Sequence, residues 1–248
     1  MSGHSKWATT KRKKAKTDVA RAKAWNKFIK EISIAAKLGG GNPDSNPRLR
    51  AAILKAKSQS LPAKNIESAI AKGTGEGKDV VMEEPIYEGR GPGGVAIFVK
   101  CMTDNKTRTV SNIRNIFNKN GGSLGESGSV AWAFTHKGVI DVDATKYAED
   151  QVMDVALEAG ADDMSTDDGV HEISTSPEAF DAVTKALEAA NIEMLNAEIT
   201  YVPNDPVKLD HGDAQKLLKL LDKFEDDDDV QDVYHNAEIS DEDMDAAE

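Results

Sequence analysis

The sequence predicts an α+β protein: a small N-terminal helical bundle followed by two α/β domains, at least one of them ferredoxin-like and one of them discontinuous. Three observations carry that prediction. Between residues 18 and 73 the apolar positions recur at helical spacing. Between 138 and 203 the elements read β-α-β-β-α-β, the ferredoxin-like order. The flanking stretches, 79–137 and 204–239, are each too incomplete to bury a core alone, so they combine into one domain interrupted by the unit between them. The boundaries that follow are 1–78 for a basic helical domain, 79–137 plus 204–239, 138–203, and an acidic tail at 240–248 expected to lack regular structure.

The first helix runs from about Asp18 to Leu38. Trp25, Phe28, Ile29, Ile32, Ala35 and Ala36 fall on one face, and Gly39-Gly40-Gly41 ends it. Arg21, Lys23, Lys27 and Lys30 lie off that face, toward solvent or a partner. A second helix starts near Pro47 with Asn46 as N-cap, burying Leu49, Ile53 and Ala56. A third starts near Pro62 and ends at Gly73, with Ile66 and Ile70 inward; residues 73–84 read as a linker. Three short helices with poor stripes make a small bundle, expected to move relative to the rest.

Gly89 to Gly94 satisfies G-x-G-x-x-G in letter only. A strand, Val95–Met102, follows it and Pro92 occupies its turn, so it reads as a hairpin loop. Next come a helix from Lys106 to Asn118 and, from its alternation of Val130, Trp132 and Phe134, a strand over Ser129–Phe134. The β-α-β-β-α-β unit has strand 138–142, helix 145–159, strands 164–166 and 170–174, helix 177–190 and strand 193–202. A helix from Asp210 to Phe224, a like-charged loop at Glu225–Asp229 and a strand over 230–236 complete the chain's elements.

Charge is segregated along the chain. The first thirty residues hold ten Lys/Arg against the single acid Asp18. Residues 1–78 carry net +13 and residues 79–248 net −25, within a chain of net −12. Without acids to form i,i+4 pairs, so basic a start points to a polyanion, usually nucleic-acid phosphate. The candidate contact residues are Lys6, Trp7, Lys11, Arg12, Lys13, Lys14, Lys16, Arg21, Lys23 and Lys27. Trp7 fits either stacking on a base or covering the bundle. Competing readings of the segment are a solvated helix face and a mitochondrial presequence; it has no apolar h-region of a secretory signal.

Catalytic and metal chemistry find no support. The one cysteine, Cys101, lies in a strand run and reads as a buried small hydrophobe. None of the five histidines pairs with another at metal-ligand spacing, and no Gly-x-Ser-x-Gly elbow occurs. Asp226–Asp229 lacks the alternation and glycine of a calcium loop, and Gly77-Lys78 lacks the first Gly and the Ser/Thr of a phosphate loop. No apolar run approaches the ~20 residues of a membrane span. The chain therefore reads as a non-enzyme without cofactor or metal.

A series of short motifs resembles the YebC/PmpR family of probable transcriptional regulators across nearly the whole chain. They are Gly3-His4-Ser5-Lys6-Trp7, Ala35 to Gly40, Asn46 to Arg50, Asn65-Ile66-Glu67, Tyr87-Glu88-Gly89, Gly91 to Gly94, Asp104-Asn105, Arg108-Thr109, Gly121-Gly122, Gly125, Gly128-Ser129-Val130 and Val233 to Asn236. The resemblance implies a cytoplasmic bacterial protein with a helical N-terminal domain and two α/β domains, binding DNA and controlling transcription. Relatives, including mitochondrial ones, resemble translation factors that work on the ribosome. No base-reading residue is carried over, because the family's contacts follow no short motif. Three functions stay open at this point: a DNA-binding transcriptional regulator, a ribosome-associated translation factor binding RNA, and a protein-interaction scaffold that uses the acidic body.

Overall fold

The computed structural model describes residues 18–75 and 82–245. Three helices come first: α1 (Asp18–Gly39), α2 (Pro47–Ser58) and α3 (Ala63–Gly73). Asn46 organises two of them at once. Its side-chain oxygen accepts from the Leu49 amide at 3.1 Å and caps α2, while its amide nitrogen donates to the Ala35 and Gly40 carbonyls, both at 2.8 Å, and closes the end of α1. Capping by Asn satisfies donors that a helix start otherwise leaves orphaned. Gly40, at φ +85°, supplies the left-handed turn between them. α3 approaches α1 so closely that a Cβ at Gly73 would lie 2.2 Å from the Ser33 carbonyl oxygen. Ile32, Ala35, Leu49, Ile53, Ala56, Ile66 and Ala69 form the bundle's own core.

The body of the same compact unit is a four-stranded sheet in the order β3-β1-β2-β9. Its strands are β1 (Ile86–Arg90), β2 (Ala96–Cys101), β3 (Ser123–Leu124) and β9 (Val230–His235). β1 and β2 form an antiparallel hairpin around a 3₁₀ turn at Pro92–Gly94, where Gly93 sits at φ +69°. β2 pairs with β9, which lies more than 120 residues downstream, so the sheet is assembled from both sides of the intervening unit. Helices α4 (Lys106–Lys119) and α7 (His211–Asp226) cover it. Phe117 and Phe224 meet edge to face at 4.8 Å, in a core with Val95, Ile97, Val99, Ile113, Leu217, Leu220 and Leu221.

Phe134–Val202 is the second compact unit. Strands β4 (Phe134–Asp143), β5 (Asp163–Asp167), β6 (Val170–Thr175) and β7 (Met194–Pro203) stand in the order β5-β6-β4-β7. β4 and β5 both run antiparallel to β6. Helices α5 (Glu149–Glu158) and α6 (Phe180–Ala189) connect them, and Ile140, Val142, Ile173, Val152, Ala156, Val183 and Leu187 pack together as the core. Element order and strand order together are ferredoxin-like.

Two expectations fail. Of the expected strand Ser129–Phe134 only Phe134 is one, as the first residue of β4: Ala131–Ala133 is a 3₁₀ turn, Val130 is buried, and Trp132 is 62% exposed. The cause is Glu88. Its buried carboxylate accepts from the Gly128, Val130 and Ala131 amides at 2.7, 2.8 and 2.9 Å, which curls the segment around one side chain and takes those donors out of any ladder. The tail does not stay irregular from Ser240. Asp241–Asp245 forms a short helix, α8, whose Met244 is 3% exposed, because Asp243 is held by the Ser240 hydroxyl at 2.7 Å and by His211. Two short parallel strands, β8 (Val207–Lys208) and β10 (Ala237–Glu238), complete the chain.

Candidate nucleic-acid interface

Of the ten predicted contact residues, Lys6, Trp7, Lys11, Arg12, Lys13, Lys14 and Lys16 lie outside the described residues. Arg21 and Lys23 are backbone positions within α1, and Lys27 is half-buried on the same helix. The described part of the bundle extends the basic surface beyond that set. Lys37, Lys55, Lys57, Lys64 and Lys72 are all exposed, and neither α2 nor the first turn of α3 carries an acid. Trp25 stands half-buried against the core and donates its indole N–H to the Gln59 carbonyl at 3.1 Å, leaving a shallow polar depression lined with Ser58, Gln59 and Ser60.

Two arginines of the bundle, Arg48 and Arg50, are bonded internally. Arg48 forms a fork on Glu31 at 2.8 and 3.2 Å and reaches Glu84 at 2.7 Å. Burial disfavours its charge, but the two carboxylates outweigh this and hold the guanidinium charged more firmly than usual. Arg50 donates to the Pro43 carbonyl at 3.4 Å. The exposed basic side chains among the described residues of the bundle are lysines, which meet phosphate as point charges and carry little base information.

Lys30 lies off the apolar face and is bonded within the chain, its side chain 28% exposed. Its ammonium donates to the Asp228 carbonyl oxygen at 2.6 Å and lies 3.7 Å from the Asp229 carboxylate. Asp229 is 8% exposed and accepts from Thr103, Arg108 and Thr109 at 3.2, 2.9 and 2.9 Å. Burial pushes its pKa up, yet the bonds from Arg108 and Thr109 and the charges of Arg108 and Lys30 bring it below the ordinary value. The acidic run before β9 is thus a bonded junction between α1, α4 and the end of β2. Lys27 acts on the same region: burial and the charges of Asp227 and Asp229 push the Cys101 thiol up, and Lys27 and Lys30 oppose that push. A buried thiol held in its neutral form is no nucleophile.

Sequence reasoning missed Glu88, Arg48 and Asp229 as organisers. Lys30 and Asp229 are 199 positions apart, so no local spacing could announce the contact. Among the described residues no group of three or more His, Cys, Asp and Glu side chains is placed to hold a metal ion, and no helix is long and apolar enough to cross a membrane.

The comparisons with known proteins agree over nearly the whole chain. Residues 5–76 match the family model described as the TACO1/YebC protein N-terminal domain, and residues 82–237 match that of the TACO1/YebC second and third domain. A probable transcriptional regulatory protein of Treponema denticola is 54% identical over 239 residues, 96% of this chain and 97% of its own. Another of that description, from Geobacter sulfurreducens, is 52% identical over 248 residues, 98% of each. A crystal structure of a conserved hypothetical protein from Aquifex aeolicus has a TM-score of 0.81 at 46% identity, covering 91% of this chain and 93% of the other.

Proposed function

Because the chain belongs to the TACO1/YebC family, we propose that it is a nucleic-acid-binding regulator of gene expression, acting as a DNA-binding regulator of transcription through its basic head. The observation that carries this reading is the segregation of charge: net +13 on residues 1–78 against net −25 on the rest. A positive head attracts phosphate while a negative body repels it, so the pair orients the contact as well as driving it. The names of the relatives support regulation of transcription. Phosphate contacts made by lysines supply affinity and register but not sequence choice, so selection of a site falls to groups beyond the lysine surface.

The same segregation of charge carries a second reading, a translation factor bound to ribosomal RNA. Arg48, the fork suited to reading a guanine edge, is occupied by Glu31 and Glu84, and a lysine surface serves an RNA polyanion equally well. Crosslinking in cells, followed by separate sequencing of the bound DNA and RNA, distinguishes the two. Enrichment at promoter DNA supports the first. Ribosomal RNA enrichment that survives DNase supports the second. Recovery of neither, with the acidic body retaining function after loss of residues 1–30, replaces both with a protein scaffold.

A further inference from the structure

Resting on the reading of the head as a nucleic-acid binder, we propose that the depression beside Trp25 is a seat for one unpaired nucleobase of a DNA or RNA strand. Its volume is about 470 Å³, inside the range of roughly 300–1,000 Å³ of small-molecule sites. Among the described residues its lining is Trp25, Ser58, Gln59 and Ser60. An aromatic wall beside hydroxyls and a side-chain amide matches a base, which brings a face to stack and a polar edge to bond. The indole is held twice, by packing on the bundle core and by the Gln59 carbonyl at 3.1 Å. A ring already positioned gives up little freedom when a ligand arrives. Exposed Lys57 immediately precedes the turn, exposed Lys64 stands in the first turn of α3, and neither helix brings an acid to its end of the turn. The two lysines meet the phosphates that flank the seated base.

The turn itself is built against its local preference. The Leu61 amide donates to the Ala56 carbonyl at 3.0 Å and the Ser60 amide to the Lys57 carbonyl at 2.9 Å. This is the Schellman ending, whose left-handed residue is usually glycine. Here it is Ser60, at φ +58°. Of the three described non-glycine residues at positive φ, Ser60 is the one that is neither Asn nor Asp, the types that tolerate it. Buried Leu61 fixes the chain just beyond it. Glycine would end α2 with less strain, and serine keeps an exposed hydroxyl on the depression. Ser58 donates its own hydroxyl to the Lys55 carbonyl at 2.8 Å, so its oxygen is left to accept. The exposed Gln59 side chain supplies a donor and an acceptor, while its backbone carbonyl holds Trp25.

The test labels the full chain with fluorotryptophan and follows the Trp25 resonance, assigned by its loss in Trp25→Phe. Short single strands of DNA and of RNA, an abasic strand of the same length and a duplex are added, and the binding of each is measured separately by anisotropy. The expected result is a saturable shift of the Trp25 resonance with one or both single strands, and none with the abasic strand or the duplex, which bind through phosphate alone. Whichever single strand gives the shift names the source of the base. Gln59→Ala removes an exposed side chain and leaves the carbonyl that holds Trp25. It should lower single-strand affinity by about three- to tenfold and leave duplex affinity within about twofold. Ser60→Gly should raise the thermal midpoint by about 1–3 °C while weakening single-strand binding. A Trp25 resonance unmoved by strands that bind, or single-strand affinity unchanged in both variants, overturns the seat while leaving nucleic-acid binding standing. A duplex or abasic strand that moves the resonance as far as a single strand overturns the unpaired base as its ligand. Absence of binding by every strand overturns the seat and the reading it rests on.

Discussion

Asn46 offers a perturbation in which local propensity and structure disagree. Asp is as good an N-cap as Asn, so propensity alone expects Asn46→Asp to be neutral. The structure expects damage, because the Asn46 amide also donates to the Ala35 and Gly40 carbonyls, and the residue is only 4% exposed. A carboxylate keeps the cap, loses both donations and places a negative charge beside the carbonyl end of α1. Two lost hydrogen bonds at about 1 kcal/mol each, plus an unfavourable helix-end charge of ~0.3–1 kcal/mol, give about 2–3 kcal/mol. Asn46→Ala loses the cap as well, for a further ~1 kcal/mol, but adds no charge. Both variants should therefore fall in the same range. Hydrogen exchange read by mass spectrometry over residues 24–73 is the assay. With a factor of ten per 1.4 kcal/mol, globally protected amides of the bundle should exchange about 30- to 150-fold faster in either variant. An Asn46→Asp protein as protected as the original would refute the double role given to this side chain.

Glu88→Ala should release the 128–131 segment, since three amides lose a buried acceptor at ~1–3 kcal/mol each before water enters, and the thermal midpoint should fall by several degrees; a shift under one degree counts against the carboxylate as organiser. The Asp229 carboxyl, held below its ordinary pKa, contributes stability that is fully present above the unfolded value of about 3.9 and is lost as pH falls through the lower folded value. The acid limb of unfolding should therefore weaken below about pH 4 in the original and flatten in Asp229→Asn, and identical acid limbs would contradict this. Residues 134–203 expressed alone should give a dispersed amide spectrum, while 79–137 should not, because β9 and α7 of its sheet and core come from the C-terminal segment; a folded 79–137 fragment would show that the interrupted domain does not need its second half.

Much of the fold was legible wherever apolar period and punctuation coincided. Asn46-Pro47 marked the start of α2, Gly39 to Gly41 the end of α1, and the order from β4 to β7 the ferredoxin-like unit, because each depends on residues close in sequence. The failures share one physical origin, a side chain reaching across the chain. Val130, Trp132 and Phe134 alternate as a strand would, but Glu88, some forty residues earlier, claims the backbone donors that a strand would have spent on its ladder. Acids after Ser240 read as a solvated tail, but His211 and Ser240 fix Asp243, and Met244 is buried in the core. The candidate interface was legible as a charge balance and not as a geometry. Composition shows that Lys30 belongs to a basic run, and only the fold shows that it is seated on Asp228 and Asp229.

The measurement that bears most directly on the central claim is the salt dependence of nucleic-acid binding, made on the original protein and on a variant with Lys11, Arg12, Lys13, Lys14 and Lys16 all changed to Gln. Each phosphate neutralised on duplex DNA contributes a slope of about −0.9 in log K against log salt. The head's surplus of lysine therefore predicts a steep slope for the original protein. It predicts a slope shallower by up to about 4.5 for the variant, weaker binding regardless of sequence, and a thermal midpoint within a few degrees. A variant that binds as tightly as the original, with the same slope, would contradict the assignment of nucleic-acid binding to the basic head.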